Sequence, residues 1–352
     1  MSRFLSKRLQ SLEAYVPGEQ PRVRDLVKLN TNESPFPPAP GVAKAVEKAA
    51  LSLQLYNDLK AERLTKLLAD TYGVKENQVA VSNGSDEMLA FAFLAFGEEG
   101  LAFPDITYGF YTVWAKLFGL DAKIIPLNER FEVDVTDYRD LKRCIVIANP
   151  NAPTGKALKQ EALKEIAKAN PDSVLIVDEA YVDFAKDADV SALGLAPEME
   201  NVLVVRTFSK SRSLAGGRLG YAIGHEKLIG DLNRVRFSFH PYNVNTLTQA
   251  AGAAALEDQN YFEACRKTIM ENREWTKEQL TALGFSVMES ETNFLFAACP
   301  RLNGAQYQQK LREKSILIRY FDQDRIRDYV RITIGSREQM EKLIAATKEI
   351  LS

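Results

Sequence analysis

The chain has 352 residues, 46% of them hydrophobic, and a formal net charge of −2 from 45 basic against 47 acidic side chains. That length can bury a sizeable core, and basic residues spread along the chain speak against a nucleic-acid or membrane-surface tail. The expected partner is a small molecule, with no nucleic acid and no membrane, and the expected plan is one large domain plus a smaller one.

Residues 1–30, with Pro17, Gly18 and Pro21, read as an irregular N-terminal arm expected to pack with the small domain. NESPFPPAP follows as a proline-rich loop that cannot be a helix interior. Helices are expected at 41–54, 59–72 and 86–96. The apolar runs QVAVS, GLAFP, AKIIP, RCIVIA, SVLIVD and NVLVVRTF, separated by segments long enough for crossovers, read as parallel strands covered on both faces. Together these make a large α/β domain over 31–240. Beyond it the texture changes. One long helical stretch from NTLTQ to TALG precedes the strand candidates TNFLFAA, SILIRYF and YVRITIG and a last helix, a smaller α+β domain over 241–352.

Open α/β sheets bind ligands at the carboxyl ends of their strands. Three runs end in polar clusters there: RCIVIA in NPNAPTG, SVLIV in DEAYVDF, and NVLVVRTF in SKSRSLAGGRLG. One crevice could therefore collect Asn151, Asp178, Tyr181, Ser209, Lys210 and Arg218. Competing readings are weaker. LIVDEA imitates part of an ATPase, but no G-x-x-x-x-G-K-[ST] loop accompanies it, and AGGRLG has Ala215 where a dinucleotide fingerprint needs its first glycine. Cys144, Cys265 and Cys299, with His225 and His240, form no metal-ligand spacing, so no metal site is expected and a reducing compartment is. The start MSRFLSKRLQ lacks the apolar block of a secretory signal, and the expectation is a cytoplasmic protein.

Taken alone, Lys210 is a solvated turn residue, and SNGSDE is an ordinary capped helix start. In combination they match an aldehyde cofactor, because a lysine can form a Schiff base when other groups hold that cofactor. Pyridoxal phosphate needs a carboxylate for its ring nitrogen, which suits Asp178 at a buried strand end, and a donor for its phenolic oxygen, which suits Tyr181. It also needs an anion cradle. Backbone N–H groups at Gly84, Ser85 and Asp86, with the helix dipole behind them, can supply one, aided by Ser209 and Arg218.

At this point the sequence resembles the fold-type I pyridoxal-phosphate aminotransferases and, within them, the histidinol-phosphate aminotransferases. The resemblance is carried in order by LEAYVPGEQP, KLNTNESPFPP, LYNDL, VSNGSDEML, ITYGFY, ANPNAPTG, VDEAYVDF, TFSKSRSLAGGRLGYAIG, PYNVNTLTQ, NFLF, ILIRYF and VRITIG. It implies a large α/β domain with a mostly parallel sheet plus a smaller C-terminal α+β domain. Lys210 is then the residue bonded to the cofactor, Asp178 its ring-nitrogen partner and Tyr181 its phenolic-oxygen partner. The ring of Tyr108 stacks on it, and Ser85, Asp86, Thr207, Ser209 and Arg218 lie around its phosphate. Tyr56 matches a tyrosine that reaches the phosphate of a neighbouring subunit, which implies a homodimer. Arg331 matches the arginine gripping the substrate α-carboxylate, while Arg319, Tyr15 and Asn32 fall among substrate contacts.

The family pattern has asparagine immediately before Pro-Thr-Gly, and here that position is Ala152, so either Asn151 takes over or Tyr181 acts alone. The implied reaction is ping-pong transamination of histidinol phosphate and 2-oxoglutarate to imidazole-acetol phosphate and glutamate, in histidine biosynthesis. The alternatives are an aromatic amino-acid aminotransferase, a threonine-phosphate decarboxylase and, outside enzymology, a cofactor-binding regulatory domain. Nothing in the sequence explains Arg212.

Overall fold

The computed structural model describes residues 2–10, 12 and 25–352. Its first regular elements are β1 (Val27–Lys28), α1 (Pro40–Ala50) and α2 (Glu62–Tyr72). Pro40 occupies the first turn of α1, where a missing N–H costs nothing. The helix stops at residue 50, four short of the expected end, and Gly73 closes α2 in the left-handed conformation at φ 66°.

Strands and helices then alternate as β2 (Val79–Ser82), α3 (Ser85–Phe96), β3 (Leu101–Pro104), α4 (Phe110–Phe118) and β4 (Ala122–Ile125). They continue as β5 (Cys144–Ala148), α5 (Gln160–Lys168), β6 (Leu175–Asp178), β7 (Val202–Thr207), β8 (Gly220–Gly224), α6 (Glu226–Phe239) and α7 (Thr246–Glu257). The seven strands form one sheet in the order β2-β8-β7-β6-β5-β3-β4. Only β8 runs antiparallel to its neighbours.

Every residue of β5, β6 and β7 is buried, as strands covered on both faces require. Alternation along a strand divides their side chains between two cores. Val202 and Val204 pack with Leu64, Leu163 and Ala251 from α2, α5 and α7, while Leu203 and Val205 pack with Phe91, Tyr111 and Leu232 from α3, α4 and α6. Each such side chain contributes about 1.5–3 kcal/mol of burial.

Helix α7 belongs to the first core although it lies beyond residue 241. The long helical stretch read from the sequence is in fact two helices. Asp258, at φ −101° and ψ 72°, leaves the helical conformation after α7 and caps α8 (Gln259–Ala282) by accepting the N–H of Tyr261 at 3.1 Å.

The remaining elements are β9 (Ser286–Val287), β10 (Phe294–Ala298), α9 (Gly304–Glu313), β11 (Ile316–Leu317), β12 (Arg319–Tyr320), β13 (Tyr329–Thr333) and α10 (Arg337–Leu351). Four of them form an antiparallel sheet, β12-β13-β10-β9, and β1 pairs parallel with β11. Val27 and Leu29 thereby join the core of Leu295, Ile332, Met340 and Leu343, which ties the segment before α1 to this second unit. Among the described residues no helix is long and apolar enough to cross a membrane.

Candidate active site

The carboxyl ends of β5, β6 and β7 open into a cavity of about 440 Å³, lined by Lys210, Asp178, Tyr181, Tyr108, Arg218 and Ser209 together with Ser85, Asp86 and Thr207. Ala152, Thr31 and Glu33 also line it. Strand alternation places the floor. Along β6, Ile176 faces the core of α3 and α4, so Asp178 continues on that face while Glu179 turns to the other.

Asp178 accepts the hydroxyl of Tyr111 at 2.7 Å. Burial pushes its carboxyl up to about 6, against the pull of the Tyr111 hydroxyl and the Ala180 N–H, and the charges of Asp86 and Glu179 add to the rise. Burial, followed by the charge of Asp178, holds the phenol of Tyr111 far above its ordinary value, so Tyr111 stays a donor.

Lys210 Nζ donates to the carbonyl of Thr31 at 3.3 Å and lies 5.8 Å from the centroid of the Tyr181 ring. The Tyr181 hydroxyl accepts from Asn32 Nδ2 at 2.9 Å, and its ring stands edge-on to Phe294. Asn32 is itself fixed by Thr333, whose hydroxyl donates to Oδ1 at 3.0 Å. Asn32 is buried beside Tyr181 and does not line the cavity.

At the other end, Gly84, with φ 82°, is the N-cap of α3, whose first-turn N–H groups have no intrahelical partner. Asp86 accepts from Arg218 Nη2 at 3.1 Å and from the Tyr108 hydroxyl at 2.9 Å, while Arg218 Nη1 reaches Ser209 Oγ at 3.4 Å. Thr207 Oγ1 donates to Ser209 Oγ at 2.9 Å. The approach of β8 to this turn requires glycine. A Cβ on Gly220 would lie 2.3 Å from the Ser85 nitrogen, and one on Gly84 would lie 2.6 Å from Arg218 Nη2. Helix dipole, open N–H groups, a hydroxyl and a guanidinium thus converge on one small space, a cradle suited to a phosphate.

Asn151 does not take the place left by Ala152. Its Nδ2 donates to the Ile106 carbonyl at 2.9 Å and to Thr154 Oγ1 at 3.0 Å, and its Oδ1 accepts from Thr107 at 2.8 Å. Both amide hydrogens are used in holding the loop, and Ala152 is the residue that faces the cavity.

Arg331 and Arg319 lie on β13 and β12 of the second sheet, outside the cavity lining, and Arg331 Nη2 donates to the Asn30 carbonyl at 3.1 Å. Tyr56 is exposed and stacks on Tyr242 with centroids 4.7 Å apart. Tyr15 lies outside the described residues.

Three contributors escaped the sequence reading. Glu33 in the proline-rich loop and Thr31 just before it border the cavity, and Tyr111 anchors Asp178. Burial alone would raise the Glu33 carboxyl, but hydrogen bonds from Lys28 and Thr31 and the charges of Lys28 and Lys210 hold it below its ordinary value. The signal for Tyr111 was present, since it follows Tyr108 by one helical turn.

The site holds an amine, a buried carboxylate, a phenol and an anion cradle, which are the four features the cofactor named above requires. These residues fit it.

Residues 24–346 match the family model described as aminotransferase class I and II. The chain is 46% identical over 354 residues to a histidinol-phosphate aminotransferase of Brachyspira hyodysenteriae, covering 100% of this chain and 99% of the relative. It is 48% identical over 360 residues to one of Marinomonas sp., covering 99% and 100%. Its fold is like that of the histidinol-phosphate aminotransferase of Sinorhizobium meliloti in complex with pyridoxal-5'-phosphate, with a TM-score of 0.88 at 24% identity, covering 100% of this chain and 98% of that one.

Proposed function

Because the chain belongs to the aminotransferase class I and II family, we propose that it is a pyridoxal-phosphate-dependent aminotransferase that interconverts histidinol phosphate and 2-oxoglutarate with imidazole-acetol phosphate and glutamate. The strongest single support is that Lys210, Asp178, Tyr181 and Arg218 border one cavity. Full-length relatives named for this reaction support the substrate.

When bound, pyridoxal phosphate supplies an aldehyde for covalent linkage to an amine and a ring that accepts the electrons released at the substrate carbon. Lys210 is the amine that holds it. The start of α3, Ser209 and Arg218 bind its phosphate, and Thr207 supports Ser209. Asp178, ionised above about pH 6, holds a proton on its ring nitrogen. Tyr181, oriented by Asn32, donates to its phenolic oxygen, and Tyr108 covers its face.

Lys210 Nζ, once displaced by the amino substrate, would take the proton from the substrate Cα and deliver it to the carbon that carried the cofactor's aldehyde, acting first as base and then as acid. Arg331 pairs with the α-carboxylate of glutamate and 2-oxoglutarate through its planar fork, and Arg319 with the phosphate of histidinol phosphate. The oxo product leaves before the second oxo acid enters, so kinetics are ping-pong.

The active unit is a homodimer in which Tyr56 serves the neighbouring site. Support comes from Leu51, Leu53, Leu55 and Tyr56, a run of exposed apolar residues of the kind that marks an interface. The free thiols of Cys144, Cys265 and Cys299 suit the cytoplasm, where we place the enzyme.

An absorbance titration tests the reading. Cofactor-loaded protein should carry a visible band near roughly 400–430 nm that histidinol phosphate converts at far lower concentration than phenylalanine. Conversion by phenylalanine alone would move the substrate to the aromatic class. Carbon dioxide release without need of an oxo acid would make the protein a decarboxylase, and no visible band after added cofactor would undo the proposal.

A further inference from the structure

The three residues after Lys210 each reach a different part of the molecule. Ser211 Oγ donates to Asp183 Oδ2, two residues beyond Tyr181. Asp183 Oδ1 lies 3.7 Å from Arg206 Nη1, and Arg206 Nε bonds Glu179, the neighbour of Asp178, at 2.9 Å. Ser213, at φ 57°, donates through Oγ to Ser34 Oγ at 2.8 Å, close in sequence to Asn32.

Arg212 takes the third direction. Its buried guanidinium donates to the Ala255 carbonyl at 2.7 Å and to Gln259 Oε1 at 3.3 Å, and it lies 4.1 Å from the centroid of the Phe262 ring. Ala255 is in the last turn of α7, where carbonyls lack intrahelical partners and the helix dipole favours a cation. Gln259 and Phe262 belong to the first turn of α8. Arg212 therefore spans the junction at which the chain leaves the core under the large sheet. Apolar side chains in this stretch would fill the same space without fixing a direction, whereas a guanidinium with two acceptors and a ring face does fix one.

We propose that Arg212 is a positioning residue for Lys210: by clamping the lysine loop to the α7–α8 junction, it sets where Nζ stands in the cavity. The proposal rests on Lys210 being the residue that holds the cofactor.

The test compares Arg212→Leu and Arg212→Lys with the parent enzyme, fully loaded with pyridoxal phosphate. Arg212→Leu should lower kcat about 10- to 100-fold while KM for both substrates stays within about threefold. The midpoint of the pH-dependent change in the visible band should move by at least about half a pH unit, because Nζ meets altered surroundings. In protein free of cofactor, backbone amides of residues 208–214 should exchange with deuterium at least about tenfold faster. Arg212→Lys should recover part of each effect. If Arg212→Leu does not accumulate folded, Arg212→Lys and Ser211→Ala give the same readings, with kcat lowered about three- to tenfold.

Unchanged kcat per bound cofactor, an unmoved midpoint and unaltered exchange would overturn the proposal. So would a loss of thermal stability with kcat and midpoint unchanged, because the side chain would then serve the fold alone. Retention of the visible band by Lys210→Ala would fault the lysine assignment itself, a separate outcome.

Discussion

Arg319 and Arg331 stand directly opposite each other on the antiparallel pair β12–β13, and both guanidinium groups lie 5.5 Å from the centroid of the same Phe321 ring. Like charges in this register repel, so the arrangement is relieved by anions bound between or beside them. The proposed substrates supply such groups in turn, glutamate and 2-oxoglutarate through their carboxylates and histidinol phosphate through its phosphate.

Arg331→Lys keeps the charge and loses the planar fork, so KM for glutamate and 2-oxoglutarate should rise at least about tenfold, with a smaller change in kcat. Arg319→Ala should raise KM for histidinol phosphate by about tenfold or more while leaving KM for glutamate within about twofold. Steady-state kinetics with each substrate read both, and an unchanged KM in either case would remove that arginine from the site.

Asp178 couples activity to stability. Its carboxyl is raised from 3.8 to about 6, so the folded chain binds this proton more readily than the unfolded chain does. Above about pH 6 the buried charge costs stability, and the cost fades as pH falls through 6 and vanishes below the ordinary value. Asp178→Asn, which still accepts from Tyr111, should therefore stabilise the cofactor-free protein by up to about 3 kcal/mol at pH 7.5 and by only about 0.5 kcal/mol at pH 4. Activity should fall by orders of magnitude. Denaturant unfolding at the two pH values checks this, and equal or lower stability of the variant at pH 7.5 would contradict it.

Gly220 lies directly against the turn that opens α3. A Cβ there meets the backbone of Gly84 and Ser85, which cannot swing aside as a side-chain tip would. Gly220→Ala should displace the start of α3, destabilise the fold by about 1–3 kcal/mol and weaken cofactor binding at least about tenfold. Spectrophotometric titration with pyridoxal phosphate measures the second effect, and parent-like affinity would mean that the turn is not the cradle.

Tyr56 gives a test of the dimer that needs no structure. If it acts across the interface, a mixed dimer of Lys210→Ala and Tyr56→Ala chains has one site with both lesions and one intact. Random re-association of equal amounts should then restore about a quarter of parental activity at limiting cofactor. If Tyr56 served its own subunit, every site in the mixture would be damaged and no activity would return.

Much of this was legible in the sequence because the buried strands are continuous apolar runs that end in polar clusters. The runs for β5, β6 and β7 placed Asp178, Tyr181 and Lys210 at one edge of the sheet. Strand β8 was hidden because GYAIG looks like the tail of the lysine motif and pairs antiparallel. The break at Asp258 was missed because a capping aspartate between two helical patterns differs from a surface aspartate only in its backbone angles. The sequence leaves open whether Asn151 replaces the asparagine missing at Ala152, because two of its three partners, Ile106 and Thr107, lie more than forty residues earlier and no local pattern reports such bonds. Arg212, unexplained in the sequence, found its partners 43 and 47 residues away.

The most direct test of the central claim is to reduce the cofactor-loaded protein with borohydride, digest it and locate the modified residue by peptide mass spectrometry. The cofactor should be found on Lys210 alone, in near-stoichiometric amount, with Lys210→Ala giving no modified peptide. Modification of a different lysine, or none in protein that carries the visible band, would contradict the assignment on which the mechanism stands.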